Sequence, residues 1–219
     1  MYSISEMYDL SHTMAAEYLQ AFTYPWEALK GIKDAIIDLG SSLGDDYLQV
    51  SEKVWVHKSA KVAPTAFLGA PCIIGAGTEV RHGAFVRGSA LVGENCVVGN
   101  SVELKNVILF DNVQVPHYNY VGDSILGYKS HMGAGSITSN VKSDKTLVVI
   151  HGEQSVETGQ KKVGAMLGDF VEVGCNSVLN PGTVIGRNTS VYPMSNVRGT
   201  VPANSIYKTG GVIIPREEQ

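Results

Sequence analysis

Charge is scarce in this chain. Lys, Arg, Asp and Glu make up 17% of its 219 residues, against roughly 25% in an average globular protein. The balance is mildly acidic, with a formal net charge of −4, so the basic footprint of a nucleic-acid binder is missing. Long hydrophobic runs are missing too. The longest uninterrupted aliphatic run, Leu147 to Ile150, is far too short to span a bilayer, and no basic start leads into an apolar stretch as in a signal peptide. Only three cysteines occur, without a CxxC pair. That fits a reducing cytoplasm, the expected location, and argues against a disulfide framework. No HxxxH, CxxC or carboxylate cluster has metal-ligand spacing, so no metal is expected. What the chain does have is an apolar fraction of 44%, enough to fold, and 24 glycines. Many turns with few charged faces point to a regular β architecture.

A period of six organises most of the chain. Bulky residues fall at Val56, Val62, Leu68, Ile74, Val80, Val86, Val92, Val98, Leu104 and Phe110. Two places earlier runs a smaller series that includes Ala60, Ala66, Cys72, Thr78, Ala84, Ala90 and Cys96. The pattern slips near Pro116 and resumes from Leu167 through Val173, Leu179, Ile185, Val191 and Val197. Neither a helix nor an alternating strand sustains a period of six, whereas a β-helix of hexapeptides does. The repeat resembles the left-handed parallel β-helix of the hexapeptide transferase family, in which three hexapeptides make one coil. Residues about eighteen apart then stack at the ~4.8 Å strand spacing. The resemblance puts the bulky series in the prism interior and the small series beside it, which makes Cys72 and Cys96 packing residues.

The flanks lie outside the repeat. Residues 1–48 read as an N-terminal helical cap, with helices over Thr13–Ala21 and Trp26–Leu39, Thr23 as a cap and Gly40 as a stop. They cover the open end of the first coil or dock a partner. Residues 49–200 form the β-helix, interrupted at 140–163 by a polar loop with a short strand at Thr146–Ile150. Residues 201–219 form a tail that folds back along the outside.

Arg87 and Lys105 are eighteen apart, each directly after a core residue. Two unit charges ~5 Å apart at an effective dielectric of ~20 repel by roughly 3 kcal/mol. Either the side chains splay into water, with Glu103 nearby, or an anion such as phosphate bridges them. His117 and Tyr120 sit in VPHYNYVGD, where the repeat slips, and a histidine there can act as a base near neutral pH. His131 opens the Gly-rich stretch HMGAGSITSN, whose amides around Gly133 to Gly135 are candidate oxyanion donors.

RGSALVGENCVVGNSVELK, VPHYNYVGD and GAGSITSN together resemble the acetyltransferase half of the bifunctional N-acetylglucosamine-1-phosphate uridylyltransferase/glucosamine-1-phosphate acetyltransferase family. The similarity spans roughly residues 54–200. It implies that Arg87 and Lys105 bind a sugar phosphate, that His117 is the general base, and that Tyr120 and Asn140 contact the sugar. Ala134, Cys175, Tyr192 and Pro193 match positions lining an acetyl-CoA groove. The nucleotidyltransferase half has no counterpart here. His131 replaces a sugar-contacting Asn, Asn-Tyr-Asp-Gly becomes Asn-Val-Lys-Ser, and Thr146 stands at a Lys position. The insertion is similar instead to the C-terminal domain of sugar-1-phosphate nucleotidyltransferase-like proteins. The resemblance therefore implies an acetyl-CoA-dependent N-acetyltransferase of a hexosamine 1-phosphate, assembled as a homotrimer. His131 then orients the ring with Tyr120 and Asn140. Two alternatives stand beside it. One is an acyltransferase for a nucleotide-linked amino sugar. The other is a non-catalytic sugar-phosphate binding module that partners a separate nucleotidyltransferase.

Overall fold

The computed structural model describes residues 1–217 and forms a three-faced β-solenoid, a left-handed parallel β-helix of hexapeptide repeats. Each coil contributes one short strand per face, and strands stack in parallel register with the equivalent strand of the next coil. On the first face Val54, Cys72 and Ala90 follow at steps of eighteen. The second face stacks Val62, Val80 and Val98, and the third stacks Leu68, Val86, Leu104 and Val121. Val80, Val86, Val98, Leu104 and Val121 are at most 1% exposed, and Cys72 and Cys96 are buried with them. Burial pushes both thiols up to about 12.

The slip in the repeat lies earlier than Pro116. At the corner between the third and first faces, coils that contain Gly88 and Ser89 turn with one residue more than the coil turning at Asn106. Ala90 consequently pairs with Val107, and Val107 with Ser124, at steps of seventeen. The strands Glu103–Leu109 and Tyr120–Leu126 run through this corner without a break. Asn106 and Asp123 take the left-handed backbone there, with φ of 55° and 48°, a conformation that Asn and Asp tolerate better than most residues.

The first face differs from the other two. Its outward residues form the ladder Trp55, Ile73, Leu91, Ile108, Ile125, Met166 and Val184, all apolar and all buried. The N-terminal segment covers this ridge lengthwise and so does not cap the open end. It starts at the far coils, where the Ala203 N–H donates to the Tyr2 hydroxyl at 2.8 Å. The Tyr8 ring then packs 5.0 Å from Phe110, and His12 stacks on Tyr128 at 3.6 Å. Asp169 fixes the path. Its fully buried carboxylate accepts the Asp9 N–H at 2.7 Å and the Tyr128 N–H at 2.9 Å, and pairs with Arg187 at 3.0 Å. Burial pushes its carboxyl up, against the pull of those donors. The segment ends on a helix, Ile32–Ser42. At about 1.5 Å per residue this helix crosses three to four coils, and Gly40 lies flat against the Trp55 ring, where a Cβ would collide.

The helical expectations need correction in detail. The first helix is shorter, Ala16–Gln20. The second breaks at Gly31 into a 3-10 turn, Pro25–Lys30, and the helix Ile32–Ser42. At the break the Tyr18 hydroxyl fills the space that a side chain at Gly31 would need, and it donates to the Ala28 carbonyl. The turn is capped at Tyr24, with the Glu27 carboxylate accepting the Thr23 and Tyr24 N–H groups, and Gly40 lies inside the helix it was expected to stop.

The insertion is a small hairpin, with Val149–Ile150 antiparallel to Val156–Glu157, so its first strand is shorter than expected. Buried Val148 and Ile150 pack over Gly182, and Thr200 N–H donates to the His151 carbonyl at 2.7 Å. The tail still belongs to the ladder through Tyr207, which pairs with Val191. Only Ile213–Pro215 turns back, antiparallel to Ser205–Tyr207.

Candidate functional site

Two corners of the prism border the third face, and the candidate residues divide between them. At the corner between the second and third faces, His117 pairs with Asn100, and the Gly135 N–H donates to the His117 carbonyl at 3.0 Å. The next coils repeat the pattern, with Asn176 N–H on the Ala134 carbonyl and Met194 N–H on the Cys175 carbonyl, at 2.8 and 2.9 Å. His117, Ala134, Cys175 and Pro193 thus form one vertical column. Gly133 and Gly174 lie so close under Cys175 and Pro193 that a Cβ at either would overlap backbone. His117, Cys175, Tyr192, Pro193 and Met194 are exposed along this column.

A buried asparagine shapes the turn at its foot. Asn119 is 2% exposed. Its side chain accepts the His117 N–H at 3.1 Å and donates to the carbonyls of Gly133 and Ser136 at 2.8 and 3.0 Å. The turn is thereby tied to the coil above, while the His117 ring itself faces solvent. The Gly133 and Gly135 amides are not free for an oxyanion: Gly133 donates to the Val173 carbonyl and Gly135 to His117.

The opposite corner carries the charges. Tyr120 bridges the face, its hydroxyl accepting from Asn140 Nδ2 at 3.1 Å; burial pushes this hydroxyl above its ordinary value. Arg87 and Lys105 occupy equivalent places on adjacent coils, since Val86 pairs with Leu104. Each has a carboxylate partner. Arg87 meets Glu103 at 2.7 Å, and Lys105 meets Asp123 at 2.9 Å. The Asp123 side chain is only 5% exposed, and it also accepts from Asn106 Nδ2 at 2.9 Å and from Asn140 Nδ2. Glu103 was foreseen as a neighbour of the cations, but Asp123 was missed. Its signal lies in VPHYNYVGD, where a carboxylate follows Lys105 by eighteen, the spacing that linked Arg87 to Lys105.

Arg87, Lys105, His117, Tyr120 and Asn140 therefore border one face. His131 does not join them within the chain. It lies on the second face, at the far end of the strand from Ala134, with Nδ1 2.9 Å from Glu172 Oε2. Among the described residues, no three His, Cys, Asp or Glu side chains gather as a metal site would require, and no helix is long and apolar enough to cross a membrane.

No protein-family profile matches the chain. Known proteins do. The chain is 36% identical over 179 residues to the bifunctional protein GlmU of Trichormus variabilis, covering 81% of this chain and 32% of that one. It is 31% identical over 116 residues to the protein of the same name from Methanococcus maripaludis strain C5, covering 52% and 28%. Among solved structures, a UDP-N-acetylglucosamine acyltransferase from Campylobacter jejuni superimposes with a TM-score of 0.39 at 13% identity, covering 73% of each chain. By its own stacked coils the molecule is a hexapeptide-repeat β-helix protein. More particularly, it is homologous to part of the bifunctional protein GlmU, and it spans about a third of the length of those relatives.

Proposed function

We propose that the chain is an acyl-CoA-dependent N-acyltransferase acting on an amino sugar phosphorylated at its anomeric carbon, a hexosamine 1-phosphate being the simplest case. The observation that carries this reading is one prism face bordered by a solvent-facing imidazole on one side and the Tyr120–Asn140–Lys105–Arg87 constellation on the other. The column of half-buried Ala134 and exposed Cys175, Tyr192 and Pro193 supports a groove for acetyl-CoA leading down to His117.

In this mechanism the sugar amine attacks the thioester carbonyl while His117 takes its proton. The tetrahedral adduct collapses, the carbon–sulfur bond breaks, and the imidazolium returns the proton to the departing CoA thiolate. General-base assistance of this kind contributes about 10²–10⁴-fold, and holding both substrates in one groove contributes much of the rest. Asn119 is a positioning residue, setting the turn that presents His117. Arg87 reaches a phosphate by exchanging Glu103 for it, a change between two anionic partners at an exposed site.

Thiol release from acetyl-CoA tests the reading, measured with glucosamine 1-phosphate and a panel of amino-sugar phosphates and nucleotide-linked amino sugars. Release that depends on the amine is expected. Silence across the panel would overturn the enzyme reading in favour of a binding module that partners a separate nucleotidyltransferase. We further propose a homotrimer whose grooves lie between subunits. Phe67 and Phe85, 58% and 43% exposed with rings 5.5 Å apart on the third face, support a buried subunit contact there. Sedimentation equilibrium should give three times the chain mass of 23.4 kDa; a monomer would refute the assembly.

A further inference from the structure

One buried carboxylate organises the charged corner. Asp123 Oδ1 accepts from Lys105 Nζ and from Asn106 Nδ2, each at 2.9 Å. Its Oδ2 accepts from Asn140 Nδ2 and, at 3.2 Å, again from Lys105. An ionised carboxylate has about four acceptor positions and no proton to give, so these contacts saturate it. With its side chain only 5% exposed, Asp123 acts on a ligand through the groups around it.

That acceptor-only character fixes the direction of two further side chains. An amide meets a carboxylate only with its nitrogen. Asn140 therefore turns Nδ2 toward Asp123 and spends its second N–H on the Tyr120 hydroxyl at 3.1 Å. Gly122 leaves the room, since a Cβ there would collide with that hydroxyl and with Asn140 Nδ2. Asn140 Oδ1 makes no hydrogen bond among the described residues and is not sealed from solvent. The Tyr120 oxygen accepts, so its own proton is free for the face. Lys105, with two contacts to Asp123, keeps at least one of its three N–H groups. The face thus offers donors at Lys105 and Tyr120 beside an acceptor at Asn140. We propose that Asp123 is a positioning residue that sets this polarity. The sugar then binds with an oxygen on the two donors and a hydroxyl or amine hydrogen on Asn140 Oδ1. Its identity as a sugar rests on the acyltransferase reading; the polarity does not.

Asp123→Asn reverses the arrangement. The new carboxamide keeps its oxygen on Lys105 and Asn106, which only donate there, and so points its nitrogen at Asn140. Asn140 must turn its oxygen inward, Tyr120 then donates to it, and both present the opposite polarity to the face. NMR of asparagine-labelled protein tests this without a ligand. The Asn140 side-chain protons, assigned by their loss in Asn140→Asp, should exchange with water at least about tenfold more slowly than those of an exposed amide, and Asp123→Asn should abolish that protection. Calorimetry reads the recognition. Asp123→Asn should weaken glucosamine 1-phosphate by at least about tenfold, because donors then face donors, and leave CoA affinity unchanged. The double variant Asp123→Asn/Asn140→Asp keeps the charge and returns an acceptor oxygen to the face. It should recover most of the loss, which a merely structural role does not predict. Unprotected Asn140 protons in the wild type, undiminished binding by Asp123→Asn, or a double variant no better than the single would each overturn the proposal. Protected protons in a wild-type chain that binds no amino-sugar phosphate would retain the polarity set by Asp123 and discard the acyltransferase reading alone.

Discussion

Replacing His117 with Ala should lower acetyl transfer by about 10²–10⁴-fold, the range for a lost general base, and leave the fold untouched. The expectation of an intact fold follows from where the side chain lies. The ring is exposed and makes no hydrogen bond within the described chain, while the residue's structural duties fall to its backbone, whose N–H goes to Asn119 and whose carbonyl takes Gly135. The loss should appear in kcat more than in KM, because a base acts in the transition state rather than on the bound ground state. Circular dichroism melts alongside thiol-release kinetics would check both halves. Unchanged turnover would remove His117 from the chemistry, and a collapse in stability would show that it is a structural residue.

The largest stability effect is expected at Leu91. On a bare β-helix an outward residue at mid-strand tolerates charge. Leu91 is outward but only 1% exposed, under the helix that ends the N-terminal segment. Leu91→Lys removes an apolar contact and leaves a charge without a partner, so a loss of at least about 4 kcal/mol is expected. At 2–4 °C per kcal/mol for a chain of this size, melting falls by roughly 8–16 °C. Gln114→Glu makes the control, since Gln114 is also an outward strand residue but exposed on the second face, and its effect should stay within about 0.5 kcal/mol. Thermal melts that show equal tolerance at both positions would contradict the packing of the N-terminal segment.

These two sites also mark what could be read in the sequence and what could not. The inward series was legible because its period matches the geometry: Val86, Leu104 and the rest recur at six, and no other common fold repeats that way. The outward ridge recurs once per coil rather than every six residues, at eighteen from Trp55 to Leu91, at seventeen through Ile108 to Ile125, and at eighteen again from Met166 to Val184. A hexad reading merges the three outward positions and loses it, which is why the N-terminal helices were assigned to the end of the solenoid. Phe110 shows the same effect. It is the last hit of the six-residue series, yet its ring is buried against Tyr8 of the N-terminal segment. The break at Gly31 lies against Tyr18, which reaches across from another helix, a contact that local propensity does not contain. Arg87 and Lys105 stand out by their spacing of eighteen, His117 and Tyr120 by the slip in the repeat and Asn140 by resemblance, and the five border one face. The carboxylate holding Lys105 went unread although it follows Lys105 by eighteen; in the structure the shortened corner sets Asp123 one place beyond the residue paired with Lys105, Gly122.

The N-terminal segment has a consequence for how the molecule comes apart. In an ordinary solenoid each coil touches only its two neighbours, so the ends open independently and unfolding spreads like a zipper. Here one continuous stretch of chain touches Ala203 with Tyr2 and Trp55 with Gly40. Fraying at either end must therefore strip contacts that hold the other, and a linear array of coils behaves as a closed cooperative unit. Contacts of such sequence separation form late and raise the contact order. The coils can assemble one by one, but the molecule becomes a single domain only when its first residues have found its last.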